Sequence, residues 1–249
     1  MPTIYLSPST QEWNPYINGG TEEYYMNLIA DAMEPYLRAS GINFVRNTPD
    51  MTAASSIRAS NSGNYDLHVS LHSNAAPEGR SGQVRGSEVY YYPTSEKGKR
   101  LAEIIAENLK AIYPDPNRVK IVPTTTIGEV AKTRAPAVLI EFAYHDNEED
   151  ANWIKQNINE IARNVVLSLT EYFGIPFNNP EAPREGIVHT TSGALNIRQA
   201  PSLSAPIIGW VYNGTRVPIY GQDGDWYVIS HNGVEGYANG NYITLVTPS

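Results

Sequence analysis

The stretch PAVLIEFAY, residues 136–144, is apolar at nearly every position, with one glutamate set inside it. A strand wetted on one face alternates apolar with polar residues, whereas a run without that alternation belongs to a strand covered on both faces. This stretch therefore reads as a buried strand. IYLS (4–7), NFVRN (43–47), DLHVSLH (66–72) and GSEVYYYP (86–93) read as further strands. Between them lie segments with helical spacing. In TEEYYMNLIADAMEPYLRASG (21–41), Tyr25, Leu28, Ile29, Met33, Tyr36 and Leu37 recur at that spacing, Thr21 offers an N-cap, Gly41 a stop, and Pro35 a bend or restart. SEKGKRLAEIIAENLKAIYP (95–114) and ANWIKQNINEIARNVVLSLTEYFG (151–174) supply two more helices. Strands alternating with helices predict an α/β fold, an open and mostly parallel sheet flanked by helices.

The rhythm changes at IPFNNPEAPREG (175–186), which holds three prolines and several turn formers. Beyond it, ALNIRQ, IIGWVY, RVPIYG, WYVIS, VEGYAN and YITLV are short runs separated by Gly, Asn and Asp turns, the pattern of a small all-β barrel. The expected organisation is a first domain over 1–175, a linker over 176–186 and a second domain over 187–249.

Composition narrows the chemistry. With no cysteine in 249 residues, disulfides, thiolate zinc sites and a cysteine nucleophile are excluded, so any metal must sit on nitrogen and oxygen. A formal charge of −8 argues against nucleic acid or an anionic membrane as the main partner. No apolar run approaches the ~20 residues of a membrane span. MPTIYL shows no secretory signal.

In DLHVSLHSNA (66–75), alternation puts His68, Ser70 and His72 on one face. At ~3.3 Å per residue the two imidazoles sit ~13 Å apart, too far to share one ion on a straight strand. His68 reads as a hydrogen-bonded core histidine. His72 falls where the strand meets its loop, the rim at which open α/β sheets bind ligands. Glu141 is costly to bury inside AVLIE without a cation or a proton. Glu23 sits in the first turn of a helix, where a carboxylate meets the helix dipole.

Taken in order, Glu23 before EYYMN, His72 in SLHSNA, Glu141 in AVLIEFAYHDN and the flanking RASN (58–61) resemble the zinc-dependent N-acetylmuramoyl-L-alanine amidases, the amidase-3 group, over residues 3–174. The resemblance implies a zinc held by Glu23 and His72, Glu141 as general base, and cleavage of the bond between N-acetylmuramic acid and the L-alanine of the peptidoglycan stem. In that family the first strand runs into a Gly-His step whose histidine is a zinc ligand. Here the position falls near Thr10, and the imidazole is missing. Gln11 or Glu12 in the same loop, or His145 beyond Glu141, would have to supply the third ligand; otherwise the ion is held weakly, or the site is dead. ALNIRQAP, GWVYNGTRV, GDWYVI, GVEGYA and NYI likewise resemble a bacterial SH3-type domain, which implies wall binding; Trp226, Tyr227 and Tyr237 either form its recognition groove or fill the small barrel. The implied protein is a monomer acting at the cell wall, released at lysis or trimmed from a longer chain. The rivals are a non-catalytic wall-binding protein and a metallo-carboxypeptidase acting on stem peptides.

Overall fold

The computed structural model describes residues 1–180, 184–232 and 234–246. Residues 181–183 of the expected linker, Gly233 of GVEGYA and the last three residues lie outside the described ones. Two compact units emerge: Met1–Leu37 with Ile42–Phe177, and Arg38–Gly41 with the described residues from Asn178 onward.

The first unit runs β1 (Thr3–Pro8), α1 (Glu22–Ala39), β2 (Asn43–Arg46), α2 (Ala53–Ser62), β3 (Leu67–Asn74), β4 (Ser87–Tyr91) and α3 (Glu96–Lys110). It continues through β5 (Val119–Pro123), α4 (Gly128–Ala131), β6 (Ala137–Tyr144), α5 (Glu148–Gln156) and α6 (Ile158–Phe173). The sheet order is β2-β1-β3-β6-β4-β5. Every neighbouring pair is parallel except β4 against β6. This is the open, mostly parallel, helix-flanked sheet expected from the sequence. β3 and β6 stand in its middle and are buried along nearly their whole length, which is why PAVLIEFAY lacks alternation.

Helix α1 buries Met26, Ile29, Ala30, Met33 and Leu37, a stripe at four- and three-residue steps. Its start is capped as expected: Thr21 Oγ1 accepts from Tyr24 N–H at 3.2 Å. Gly41, at a φ of 72°, closes its end, a backbone conformation that glycine adopts without strain. The helix continues through Pro35 as a single element, with the carbonyl that proline leaves unpaired on the exposed turn at Asp31. The last helical stretch is divided at Asn157, whose Nδ2 donates to the Trp153 carbonyl at 2.7 Å.

Helices α2 and α4 and strand β5 were not expected, nor was a strand over Arg184–Val188, which takes the last three residues of the expected linker into the second unit's sheet. The sequence AASSIRASNS carries no apolar stripe, and the buried residues of α2 are the serines Ser56 and Ser60. A capping box between Thr52 and Ser55 starts the helix. Its inward face is polar because it covers buried polar groups on the sheet.

The second unit is all antiparallel: β7 (Arg184–Val188), β8 (Ala194–Arg198), β9 (Ile207–Tyr212), β10 (Arg216–Asp223), β11 (Trp226–His231), β12 (Val234–Asn239) and β13 (Ile243–Leu245), in the order β13-β7-β10-β11-β12-β8-β9. Inward residues such as Val188, Ile197, Val211, Ile219 and Ile229 form its own small core. Gly236 lets β12 approach β8 closely, since a Cβ there would stand 2.6 Å from the Arg198 carbonyl oxygen.

Candidate active site

Parallel strands bring their carboxyl ends to one edge of the sheet. β3 and β6 pair in register, His72 opposite Glu141, and a bulge follows at once because β6 spends one extra residue between Glu141 and Tyr144. On the other side of β6, Glu88 of β4 pairs opposite Glu141. His72, Glu141 and Glu88 therefore form one row across three adjacent strands.

The loop after β1 completes the rim. Asn14 ties it to α1, accepting from Glu22 N–H at 2.9 Å and donating from Nδ2 to Glu22 Oε2 at 2.7 Å. Glu22 is 1% exposed, and its Oε1 lies 2.8 Å from His72 Nδ1. The Gln11 amide nitrogen lies 3.5 Å from Glu22 Oε1 and 3.4 Å from His72 Nδ1. The other ring nitrogen, His72 Nε2, is 3.0 Å from Glu129 Oε2. Burial works against a charged imidazole here, but hydrogen bonds to Glu129 and Glu22 outweigh it and hold the His72 ring well above its ordinary range. Burial alone would raise Glu22, and the bonds from His72 and Asn14 pull it below the usual carboxylate value.

Glu141 is the opposite case. Its Oε2 is buried with no hydrogen-bond partner. Burial pushes the carboxyl up to about 8; His72 counteracts this, while the negative Glu22, Glu88 and Glu129 reinforce it. Glu88 is itself anchored, by Lys120 Nζ at 3.0 Å, by Tyr90 O–H at 2.5 Å and by Asn74 Nδ2 at 3.3 Å. A carboxyl poised near neutrality beside an imidazole and a second carboxylate is suited to proton transfer.

His72 and Glu141 meet at the rim. Glu23 does not face them: its Oε1 accepts from Asn27 Nδ2 at 3.3 Å, and the residue that meets His72 is Glu22. The correction follows from helical phase, since Glu22, Met26, Ile29 and Met33 lie on one buried stripe and Glu23 stands one position off it. Of the three candidates for the missing imidazole, Gln11 stands beside Glu22 and His72. Glu12 is exposed. His145 is committed elsewhere: its Nδ1 donates to the Ser73 carbonyl at 2.8 Å and its ring stacks on Tyr16. Thr10, at the position of the missing histidine, is buried. His68 is the core histidine the sequence suggested, with Nδ1 and Nε2 each 2.9 Å from a serine hydroxyl, Ser60 and Ser70. Glu129 and Glu88 were missed. Each is one acid in a short mixed run, GEVA and SEVYY, with nothing local to mark it.

Among the described residues no group of three or more His, Cys, Asp or Glu is placed to hold a metal ion. Glu22, His72 Nδ1 and the Gln11 side chain nevertheless form an oxygen and imidazole donor set, once the Gln11 amide turns its oxygen inward. Such a set fits a divalent cation, with the amide a weaker ligand for zinc than the imidazole it replaces.

In the second unit, Trp226 lines a cavity of about 330 Å³ together with Asn196, Arg198, Leu203 and Tyr242. Tyr227 packs on the small core and lies under the Arg184 guanidinium. Tyr237 is only 6% exposed, so of its two readings the barrel-filling one holds and the recognition role does not; alternation along β12 turns it inward.

Comparison with known proteins bears on both units. The profile described as N-acetylmuramoyl-L-alanine amidase matches residues 10–171, and that of the bacterial SH3 domain matches residues 193–244. The chain is 32% identical over 163 residues to N-acetylmuramoyl-L-alanine amidase LytC of Bacillus subtilis (strain 168), covering 63% of this chain and 32% of LytC. It thus spans about a third of that relative's length. Among solved structures, the amidase AmiC2 of Nostoc punctiforme superposes with a TM-score of 0.61 at 19% identity, over 70% of this chain and 97% of that one. The catalytic domain of the CD27L endolysin targeting Clostridia Difficile gives 0.56 at 24% identity, over 69% and 98%. At these identities the two structures establish the fold.

Proposed function

The chain belongs to the N-acetylmuramoyl-L-alanine amidase family, and from that premise we propose that it hydrolyses the amide bond between N-acetylmuramic acid and the L-alanine of the peptidoglycan stem. The observation that carries this reading is the meeting of Glu22, His72 and Gln11 beside the buried, unpartnered Oε2 of Glu141.

Members of this family are generally zinc-dependent, and Glu22, His72 and Gln11 are the residues that would hold the ion. When bound, it would polarise the scissile carbonyl and acidify the attacking water. Glu141 takes the proton from that water and returns it to the departing amine, a role that calls for an affinity near neutrality. Glu88, opposite Glu141 and held by Lys120 and Tyr90, keeps a negative charge beside that carboxyl and favours its protonated state after the first transfer. Asn14 and Asn74 fix the walls on either side by bonding Glu22 and Glu88.

The domain reading is a catalytic part over 1–175, a linker whose sequence-derived bounds of 176–186 shorten at the far end because Arg184–Gly186 already belong to β7, and a wall-binding part beyond it; the ranges of the two family matches support this division. The second part would hold the chain on peptidoglycan through the cavity at Trp226, raising the effective substrate concentration for the first. One chain carries both parts, so a monomer suffices, acting at the cell wall. Among the described residues no helix is long and apolar enough to cross a membrane.

Metal analysis of the purified chain, paired with assay of stem peptide released from sacculi, tests the proposal. Bound zinc with release of free stems supports it. Wall binding with neither favours a non-catalytic wall-binding protein, the reading to which the missing imidazole at Thr10 points. Trimming of terminal D-residues alone would make it a carboxypeptidase.

A further inference from the structure

An imidazole that ligates through one nitrogen needs an acceptor for the proton on the other, and the structure sets a carboxylate beside each nitrogen of His72. His72 Nδ1 faces Glu22 and Gln11, while Nε2 faces Glu129. We infer that Glu129 is a positioning residue, which accepts the Nε2–H of His72 and so keeps the ring in the tautomer whose Nδ1 lone pair points at Glu22 and Gln11. The inference rests on the metal reading of that site given above.

Glu129 is built to be immobile. Its side chain is 6% exposed. It lies on the single turn of α4, and that turn packs on α2 and β6. Gly128 permits the approach: a Cβ there would already stand 3.3 Å from Ile57 Cδ1. Ser7 donates to Glu129 Oε1 at 2.5 Å, and Ser7 is held in turn by Ser56 and Asn47. With Oε1 engaged there, Oε2 is left for His72.

A purely structural role, satisfying His68, fits less well. His68 Nε2 is 3.4 Å from Glu129 Oε1, yet both of its nitrogens already have serine hydroxyls at 2.9 Å. His72 Nε2 has Glu129 at 3.0 Å. When the ring gives up one proton to take a cation, two carboxylates compete for the proton that remains. If Glu22 held it, Nδ1 would be a donor and closed to a cation; Glu129 draws it to the far side. Removing the Glu129 carboxylate leaves a buried N–H without an acceptor and favours the closed tautomer.

The test uses the whole chain, labelled with 15N at histidine, and zinc as the probe. The long-range 1H–15N spectrum of the zinc-loaded wild type is expected to show His72 protonated at Nε2 and metallated at Nδ1. Glu129→Leu is expected to weaken zinc binding by about 10- to 100-fold in calorimetry. Glu129→Gln, whose amide oxygen still accepts Nε2–H, is expected to recover most of that loss. Metallation at Nε2 overturns the inference, as does a folded Glu129→Leu that binds zinc like the wild type. If Glu129→Leu does not fold, the wild-type spectrum decides. A wild type that binds no zinc overturns this role and the metal reading together. Zinc bound through Nδ1 without wall cleavage leaves the role standing and removes only the amidase proposal.

Discussion

Replacing Glu141 by glutamine should make the protein more stable and inactive at once, and the two effects have separate signs and assays. Glu141 carries a buried, unpartnered Oε2, and its affinity for a proton rises from an ordinary 4.5 to about 8. A carboxyl raised in the folded state contributes stability that is complete below the unfolded value and is lost as pH climbs through the folded one. At about 1.4 kcal/mol per pKa unit, ionising Glu141 costs the metal-free protein about 4 kcal/mol between roughly pH 5 and pH 9. Glu141→Gln removes the titration, so its stability should exceed the wild type's by that order at the alkaline end and converge with it towards pH 5. Urea unfolding followed by fluorescence measures this, with Trp210 and Trp226 replaced by phenylalanine so that the signal comes from Trp13 and Trp153 of the first unit. Cleavage of sacculi by the same variant, loaded with zinc, should fall by about 10²- to 10⁴-fold, the usual contribution of a general base, with metal content unchanged. Parallel stability profiles for variant and wild type would refute the claim that the Glu141 carboxyl is desolvated. Loss of zinc from the variant would mean that Glu141 holds the ion and does not move the proton.

Other outcomes follow from the same geometry. Glu22→Gln should reduce zinc affinity in calorimetry by tenfold or more, whereas Glu23→Gln should leave it unchanged; the reverse order would reinstate Glu23. Gln11→His, which returns an imidazole to the loop after β1, should tighten zinc binding, and Gln11→Ala should weaken it; equal affinities in all three proteins would exclude Gln11 from the site. Asp150 is fully buried and accepts from Arg85 Nε, Tyr113 O–H and the backbone N–H groups of Gly86 and Tyr144. Asp150→Ala should cost about 3–5 kcal/mol by stranding those donors, seen as a lowered thermal transition, and a shift of only a degree or two would disprove that account. Trp226→Ala should reduce binding to sacculi severalfold with the fold intact, while Tyr237→Ala should instead destabilise the second unit; equal retention on the wall by the Trp226 variant would argue against the cavity as the binding site.

Much of this was legible along the chain. Strands buried on both faces announce themselves by unbroken apolar runs, and α1, α3 and α6 by their stripes. His72 and Glu141 stood out because a polar group at the end of such a run is expensive unless it has work to do. Where reading failed, the cause was specific. Assigning Glu23 instead of Glu22 was an error of one residue, about 100° of helical rotation, and the stripe of Met26, Ile29 and Met33 held the phase that would have corrected it. Helix α2 escaped because its buried face is serine, a residue that signals solvent unless a polar partner waits on the sheet.

Local composition and period are enough to fix the two kinds of architecture, the edge at which the chemistry gathers and the absence of a histidine after β1. Folding alone brings Glu129 across from a single helical turn to His72, sets Glu88 against Glu141, and puts Gln11 and not His145 at the border of the site. Those contacts join residues up to 60 or so positions apart, and a carboxylate's role depends on which charges surround it after folding. No spacing along the chain encodes that distance.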